Sequence, residues 1–274
     1  MSLLGAAEIR ALAALLDLKP SKALGQNFVI DANVCRKIVR VADVKSDDVA
    51  LEIGPGLGSL TLALLEEAAS VVAIEIDQRL ATQLPITAGT HSDRASMLTV
   101  INSDALVIRT LDVAPTVLVA NLPYNVSVPV LLHLLEFFPT LRTGVVMVQA
   151  EVADRLAAKP NSKEYGIPSV KAAWWADVSG AGSVSRSIFW PAPNVDSKLV
   201  GFTRHAPLGD EALRKKVFSI IDLAFAQRRK MLRSTLSSLY GSSAAAEAHL
   251  ASVGIDGTLR GEALTIEDFC KIAR

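Results

Sequence analysis

Between residues 49 and 158, short apolar runs rich in β-branched residues alternate with helical patterns. This alternation limits the fold more than any other feature of the chain. Strand-like runs at 49–53, 71–76, 98–101, 116–120 and 144–149 are apolar throughout. Helical patterns at 59–69, 78–84 and 130–138 lie between them. Strands with no polar face must be covered on both sides, which predicts a parallel sheet with helices above and below. Two more runs, 178–189 and 197–203, flank Trp190-Pro191-Ala192-Pro193. That tetrapeptide cannot lie in a sheet interior, so these runs are expected to close the sheet at one edge. After Pro207 and Gly209 the pattern is helical to the end. The expectation is a Rossmann-like α/β domain over 1–205 and a small α-helical domain over 206–274.

The first strand runs into Glu52-Ile53-Gly54-Pro55-Gly56-Leu57-Gly58-Ser59. Glycines at this junction let backbone approach a ligand closely and turn sharply into a helix. The spacing is G-x-G-x-G, whereas the dinucleotide fingerprint is G-x-G-x-x-G, and position 59 is serine. With Glu52 in front of it, this loop suits a cofactor without a pyrophosphate; the plain alternative is a tight strand–helix turn. Glu75 lies about twenty positions after Gly54, where doubly wound folds set an acid against ribose hydroxyls. Asp77 is the weaker candidate and a plausible helix N-cap. Asp104, after the third strand, can accept a hydrogen bond from a nucleoside amino group, or can serve as a turn aspartate. A glycine loop, a ribose acid and a base-edge acid fit S-adenosylmethionine better than NAD.

Asn121-Leu122-Pro123-Tyr124 follows the fourth strand and therefore opens onto the same sheet edge. An amide oxygen and a backbone carbonyl can accept hydrogen bonds from an exocyclic amine. An aromatic ring can stack on the face that carries it. A methyl donor would then lie beside a pocket for a planar amine.

The chain has 274 residues, half of them hydrophobic, and a net charge of zero. Overall basicity therefore points to no nucleic-acid partner. The charge is uneven, however: Arg204 to Arg233 holds eight Lys/Arg against three Asp/Glu. Two cysteines, Cys35 and Cys270, make neither a metal-ligand spacing nor a disulfide framework, which suits a reducing, cytoplasmic setting. No metal is expected, and the four scattered histidines show no ligand pattern. Residues 1–18 read as an amphipathic helix, not a signal peptide. No apolar run approaches the roughly 18 residues needed to span a membrane.

Taken in order, the motifs resemble a known family. They begin with Leu24-Gly25-Gln26-Asn27-Phe28, the glycine loop and Asn121–Tyr124. They continue through Gln149-Ala150-Glu151-Val152-Ala153 and Tyr165-Gly166. The last are Phe189-Trp190-Pro191-Ala192-Pro193-Asn194-Val195-Asp196-Ser197 and Phe225-Ala226-Gln227-Arg228-Arg229-Lys230. The chain resembles the ribosomal RNA adenine dimethyltransferases, and within them the small-subunit (KsgA/RsmA) group. The resemblance implies a class I S-adenosylmethionine-dependent methyltransferase fold. It also implies dimethylation of N6 on two adjacent adenosines near the 3′ end of 16S rRNA, and a part in ribosome biogenesis. It places Asn27 and Val29 at the methionine end of the cofactor and Gly54, with Gly56, against it by backbone. Glu75 falls at the ribose and Asp104 at the adenine amine. Asn121 stands between the methyl and the target base, Tyr124 stacks on that base, and Phe189 adds a second ring. The family usually carries Val-Pro-Pro before the Phe189 motif; here the residues are Val184-Ser185-Arg186, after Gly180-Ala181-Gly182. A different local backbone path is therefore expected. Leucine is also commoner than valine at position 29.

Transfer to adenine N6 needs alignment more than acid–base power, because the sulfonium methyl is already electrophilic. The Asn121 oxygen and the Leu122 carbonyl would hold the N6 protons, and Pro123 keeps the turn rigid with no N–H to compete. Arg228, Arg229, Lys230 and Arg233 are expected on a helix as a phosphate-binding stripe, with Lys19 and Lys22 as a second contact. The partner is then the small ribosomal subunit and its 16S rRNA, met by a monomer. Three other readings stay open: a large-subunit rRNA methyltransferase, an assembly factor with secondary methylation, and a DNA adenine methyltransferase.

Overall fold

A computed structural model describes residues 2–18 and 27–274. Helix α1 (Ala6–Leu15) precedes a two-residue strand β1 (Phe28–Val29) and helix α2 (Ala32–Val41). An alternating stretch follows: β2 (Val49–Ile53), α3 (Ser59–Glu67), β3 (Ser70–Glu75), α4 (Gln78–His91), β4 (Leu98–Asn102), β5 (Val117–Asn121), α5 (Ser127–Phe137) and β6 (Thr143–Gln149). Helices α6 (Ala150–Leu156) and α7 (Ile167–Ala172) lead to β7 (Ala176–Val184), β8 (Phe189–Trp190) and β9 (Ser197–Arg204). The chain ends in helices α8 (Glu211–Ala226), α9 (Leu232–Thr235), α10 (Ser237–Tyr240), α11 (Ser243–Ser252) and α12 (Ile266–Ala273).

Seven strands form one sheet in the order β4-β3-β2-β5-β6-β9-β7. The five strands from β4 to β6 are parallel, and β9 runs antiparallel to β6. Strands β2, β3, β5 and β6 are buried on both faces for the reason read from their composition: Leu51, Val71, Leu118 and Val146 are wholly inaccessible. Strand β4, expected to be covered as well, lies at the sheet edge and is only partly buried. The expected edge closure also holds, since β9 and β7 continue the sheet beyond β6. Gly182 adopts φ +125° within β7. A short 3₁₀ turn (Arg186–Ile188), capped by the Ser185 hydroxyl, then leads into β8. This is the local path taken where the family carries prolines. Strand β8 pairs only with β1, as a separate two-stranded ribbon.

Asp77 caps α4 as expected, its Oδ1 accepting from the Arg79 amide at 2.9 Å. The helix then runs through Pro85 to His91.

The chain divides into two compact units. One comprises residues up to Ala153 plus Gly180–Arg204; the other comprises Asp154–Ser179 plus His205–Arg274. One boundary between the units falls after residue 204, and residues 154–179 group with the C-terminal helices. Aromatic packing explains that grouping. Trp174 and Trp175 set their rings edge-on to Phe218, and Tyr165 does the same to Phe225. The Tyr165 hydroxyl also donates to the Leu264 carbonyl at 2.8 Å. A sequence pattern that switches to helix at residue 206 carries no sign that these earlier aromatics belong to the later helices.

At the end of the sheet away from the glycine loop, Asp48 is 3% exposed. It accepts from the Thr116 hydroxyl, the Arg142 guanidinium and the Lys45 amide at 2.6–2.8 Å. Burial alone would raise its pKa, but these donors outweigh it and hold the carboxyl below the ordinary range. Asp48→Asn is expected to cost about 1–3 kcal/mol at pH 7. Because the folded pKa is depressed, the contribution is present above the unfolded value and is lost as pH falls through the folded one. Denaturant titrations should therefore show the gap to wild type closing below about pH 4.

Candidate active site

Strand β2 pairs with β3 on one side and β5 on the other. The chain leaves β2 in one direction to build β3 and β4, and returns to build β5 and β6 on the opposite side. A crevice opens at the carboxyl ends of strands where the order reverses. A cavity of about 130 Å³ occupies that place. Its lining includes Gly54, Gly56, Glu75, Asp104 and Asn121, together with Asn27 and Val29. Every residue assigned above to the cofactor therefore converges on one cavity.

Gly54, Gly56 and Gly58 all have positive φ. At Gly56, a Cβ would come within 3.0 Å of the Phe28 ring; at Gly58, within 2.8 Å of Leu84. The loop is therefore glycine for both backbone and space. The Gly56 amide donates to Glu75 Oε2 at 3.1 Å, and the Asp77 amide to Oε1 at 3.0 Å. Glu75 is 5% exposed, and burial raises its pKa despite these two amides. Asp104 is exposed at the rim; its Oδ1 accepts from the Leu106 amide at 2.9 Å. The turn role and the cavity-lining position thus coexist in one residue.

Asn121 ends β5, and its Nδ2 donates to the Asn27 carbonyl at 3.2 Å. Committing the nitrogen leaves the side-chain oxygen as the group that can accept. Pro123 lines the cavity, whereas Leu122 is buried, with its amide bonded to the Met147 carbonyl. Tyr124 stands half-buried beside the cavity rather than in its wall, and its hydroxyl lies 2.7 Å from Ser197 Oγ.

Several expected residues are placed differently. Phe189 is 3% exposed, pairs with Val29 in the β1–β8 ribbon and belongs to the apolar core. It presents no open face for a second ring. The burial follows from the alternation along β8, which turns Phe189 inward and leaves Trp190 partly open against Phe28. Arg228, Arg229 and Lys230 lie in a turn after α8, not on a helix. The Arg228 guanidinium is engaged by the carbonyls of Lys163 and Tyr165 and by the Glu262 carboxylate. Arg233 pairs with Glu247. Arg229 and Lys230 are exposed and make no ion pair among the described residues. Lys19 and Lys22 lie outside the described residues.

Sequence reasoning noted Glu52 but gave it no place in the site. It lines the cavity, is 1% exposed, and accepts from the Thr61 hydroxyl at 2.6 Å. Burial pushes its pKa to about 8, against the Thr61 hydrogen bond and with some help from Glu75. It is therefore largely neutral at pH 7. Ser59, whose hydroxyl donates to the Val29 carbonyl at 2.6 Å, fastens β1 to the start of α3. The glycine loop next to both residues was the available signal; their burial was not legible.

A sequence model of the family described as ribosomal RNA adenine dimethylase matches residues 18–274. The chain belongs to the ribosomal RNA adenine dimethylase family. It is 60% identical to the protein named ribosomal RNA small subunit methyltransferase A from Leifsonia xyli subsp. xyli, covering 100% of this chain and 98% of that one. The protein of the same name from Streptomyces coelicolor is 58% identical over 99% of this chain and 96% of its own length. Among solved structures, 23S rRNA methyltransferase ErmE superposes with a TM-score of 0.67 at 27% identity, covering 90% and 98%. A dimethyladenosine transferase from Plasmodium falciparum gives 0.74 at 24% identity, covering 89% and 95%, and shares the fold. As a family member the chain is an rRNA adenine methyltransferase.

Glu52 yields a prediction with a definite sign. Its folded pKa lies above the ordinary carboxyl value, so its contribution to stability is full at low pH and declines as pH rises to about 8. Glu52→Gln keeps an acceptor for Thr61 and cannot ionise. Thermal melts should show this variant gaining on wild type from pH 5 to pH 8, with the advantage levelling off above that.

Proposed function

We propose that the chain transfers methyl groups from S-adenosylmethionine to N6 of two adjacent adenosines near the 3′ end of 16S rRNA, acting as a monomer on the small ribosomal subunit. The single observation that carries this reading is that Asn121 and Pro123 share the cavity with Glu75 and Asp104. The residues fit that cofactor. Glu75 and Asp104 offer acceptors for ribose hydroxyls and an adenine amine. The carboxyl groups of Glu75 and Asp104 in the cavity wall disfavour a diphosphate and suit a cationic ligand. When bound, S-adenosylmethionine supplies an electrophilic methyl group.

The target adenine must leave its stack to reach the site. The Asn121 side-chain oxygen and the Leu122 carbonyl then accept the two N6 protons and orient the nitrogen lone pair toward the cavity. Asn27 holds the Asn121 amide in the required orientation. Pro123 contributes no N–H that would compete for these acceptors. Tyr124 covers the base face. After transfer a proton passes to water. Positioning of this kind is worth orders of magnitude in rate, and misplacement by about 1 Å can cost 10²-fold. Asn121→Ala is expected to lower kcat by about 10²-fold, with the melting temperature little changed, since the side chain makes one hydrogen bond. A variant that methylates at a near-normal rate would remove Asn121 from the mechanism.

The choice of small subunit rests on the near full-length likeness at 60% and 58% identity to proteins that bear that name. The likeness to ErmE is weaker, at 27%. Methyl incorporation by purified protein into unmethylated small but not large subunits is the expected result. Incorporation into large subunits alone would reverse the assignment. Cys35 and Cys270 are buried free thiols, as suits a reducing cytoplasm. No helix among the described residues is long and apolar enough to cross a membrane.

RNA affinity is assigned to the second unit, with Arg228 recast. Arg228 pins the 163–165 loop to the 227–230 turn, and the Leu232 amide bonds the Leu259 carbonyl. Exposed Lys163, Arg229, Lys230 and Arg260 thus sit on three interlocked loops. The double variant Arg229→Ala/Lys230→Ala should weaken RNA binding and reduce the slope of log K against log salt by about 2. Arg228→Ala should instead lower the melting temperature. An unchanged salt slope in the double variant would remove both side chains from the RNA interface.

A further inference from the structure

The loop 122–126 carries Tyr124 between β5 and α5 without regular structure of its own. Ser197, by contrast, is the first residue of β9, paired across the ladder with Gln149 of β6, and is 1% exposed. The Ala150 amide bonds the Asp196 carbonyl next to it, so its backbone is held on the preceding side as well. The 2.7 Å contact between its hydroxyl and the Tyr124 hydroxyl spans 73 positions of sequence. It ties a loop to a strand of the main sheet.

A tyrosine ring in a loop has two torsions to settle. Backbone bonds settle neither: the Leu122 amide reaches Met147, and the Val126 amide closes a turn on Pro123. The phenol–hydroxyl bond anchors the far end of the ring and so sets the first torsion, the direction of the ring axis. Breaking it would leave a buried hydroxyl at position 197 without its partner, which is unfavourable. Burial also raises the Tyr124 pKa, only partly offset by Ser197, so the phenol stays protonated and the bond persists.

We propose that Ser197 is a positioning residue for methyl transfer: it anchors the far end of the Tyr124 ring before the target base arrives, and the second methylation depends on it more than the first. This rests on the reading of Tyr124 as the ring that covers the base. The chemistry supplies the asymmetry. Unmodified adenine brings two N6 protons to the two acceptors at Asn121 and Leu122. N6-methyladenine brings one, so the base loses a hydrogen bond and stacking carries a larger share of its placement. A ring whose far end is already anchored then matters more.

The experiment compares Ser197→Ala, Ser197→Thr, Tyr124→Phe and the double variant Ser197→Ala/Tyr124→Phe on unmethylated small subunits. Mass spectrometry gives the ratio of mono- to dimethyladenosine, kinetics give kcat and KM, and calorimetry gives S-adenosylmethionine affinity. Ser197→Ala is expected to slow the second transfer about five- to tenfold, as loss of one hydrogen bond would. Monomethyladenosine then accumulates while cofactor affinity is unchanged. Tyr124→Phe should match it, the double variant should be no worse than either, and Ser197→Thr should restore dimethylation. A wild-type product ratio in Ser197→Ala would overturn the proposal. So would a double variant whose loss is the product of the two single losses. Tyr124→Ala separates the two levels of argument. If it is inactive while Ser197→Ala behaves as wild type, only the positioning role fails; if it is fully active, the stacking role of Tyr124 fails with it.

Discussion

The parallel pairing of β2 with β3 on one side and β5 on the other sends the chain outward in two directions from one central strand. The connections leaving the carboxyl ends of β2 and β5 therefore diverge, and backbone does not fill the space between them. Gly54 stands at one side of this gap and Asn121 at the other; a Cβ on Gly54 would lie 3.8 Å from the Asn121 carbonyl oxygen. The cofactor loop and the tetrapeptide 121–124 are thus neighbours because of strand order. Their chemistry is joined by topology, and a sheet wound in any other order would part them.

Around this gap the chain is fastened to itself at short range. The Asn27 carbonyl holds Asn121, the Val29 carbonyl holds Ser59, and β1 pairs with β8. From β8 the chain passes through the proline segment to Ser197, which holds Tyr124. Both ends of the 121–124 tetrapeptide are therefore gripped by segments that meet in the β1–β8 ribbon. Phe28, Leu57 and Leu80 line the cavity and also pack with Ile9 and Ala13 of α1. The N-terminal helix thus backs the wall of the cavity. The buried Glu75 adds an acidic group to this wall that a cationic donor would neutralise.

Much of this was legible in the sequence because it depends on local patterns. The β2 to β6 strands are mainly apolar, and the sites of Glu75, Asp104 and Asn121 follow from their place at strand ends. The glycine loop declared itself through spacing. What could not be read depends on long-range packing. Phe189 sits in a motif that looks like an aromatic platform, yet a two-residue strand turns it into the core. Arg228 looks like its neighbour Arg229 in sequence; only the folded chain brings the carbonyls of Lys163 and Tyr165 to it. Trp174 and Trp175 precede the last strands but pack with Phe218. Ser197 stood only as the last residue of the Phe189 motif, since a serine at a strand start has no visible role until its partner 73 positions away is known.

The account stands or falls on where the methyl donor lies relative to Asn121. A crystal structure with a non-reactive S-adenosylmethionine analogue measures this directly. The expected result has the ribose hydroxyls at Glu75, the adenine amine at Asp104, each within about 3 Å, and the transferable end facing the Asn121 side-chain oxygen. An analogue bound elsewhere, or bound with that end turned away from Asn121, would contradict the account.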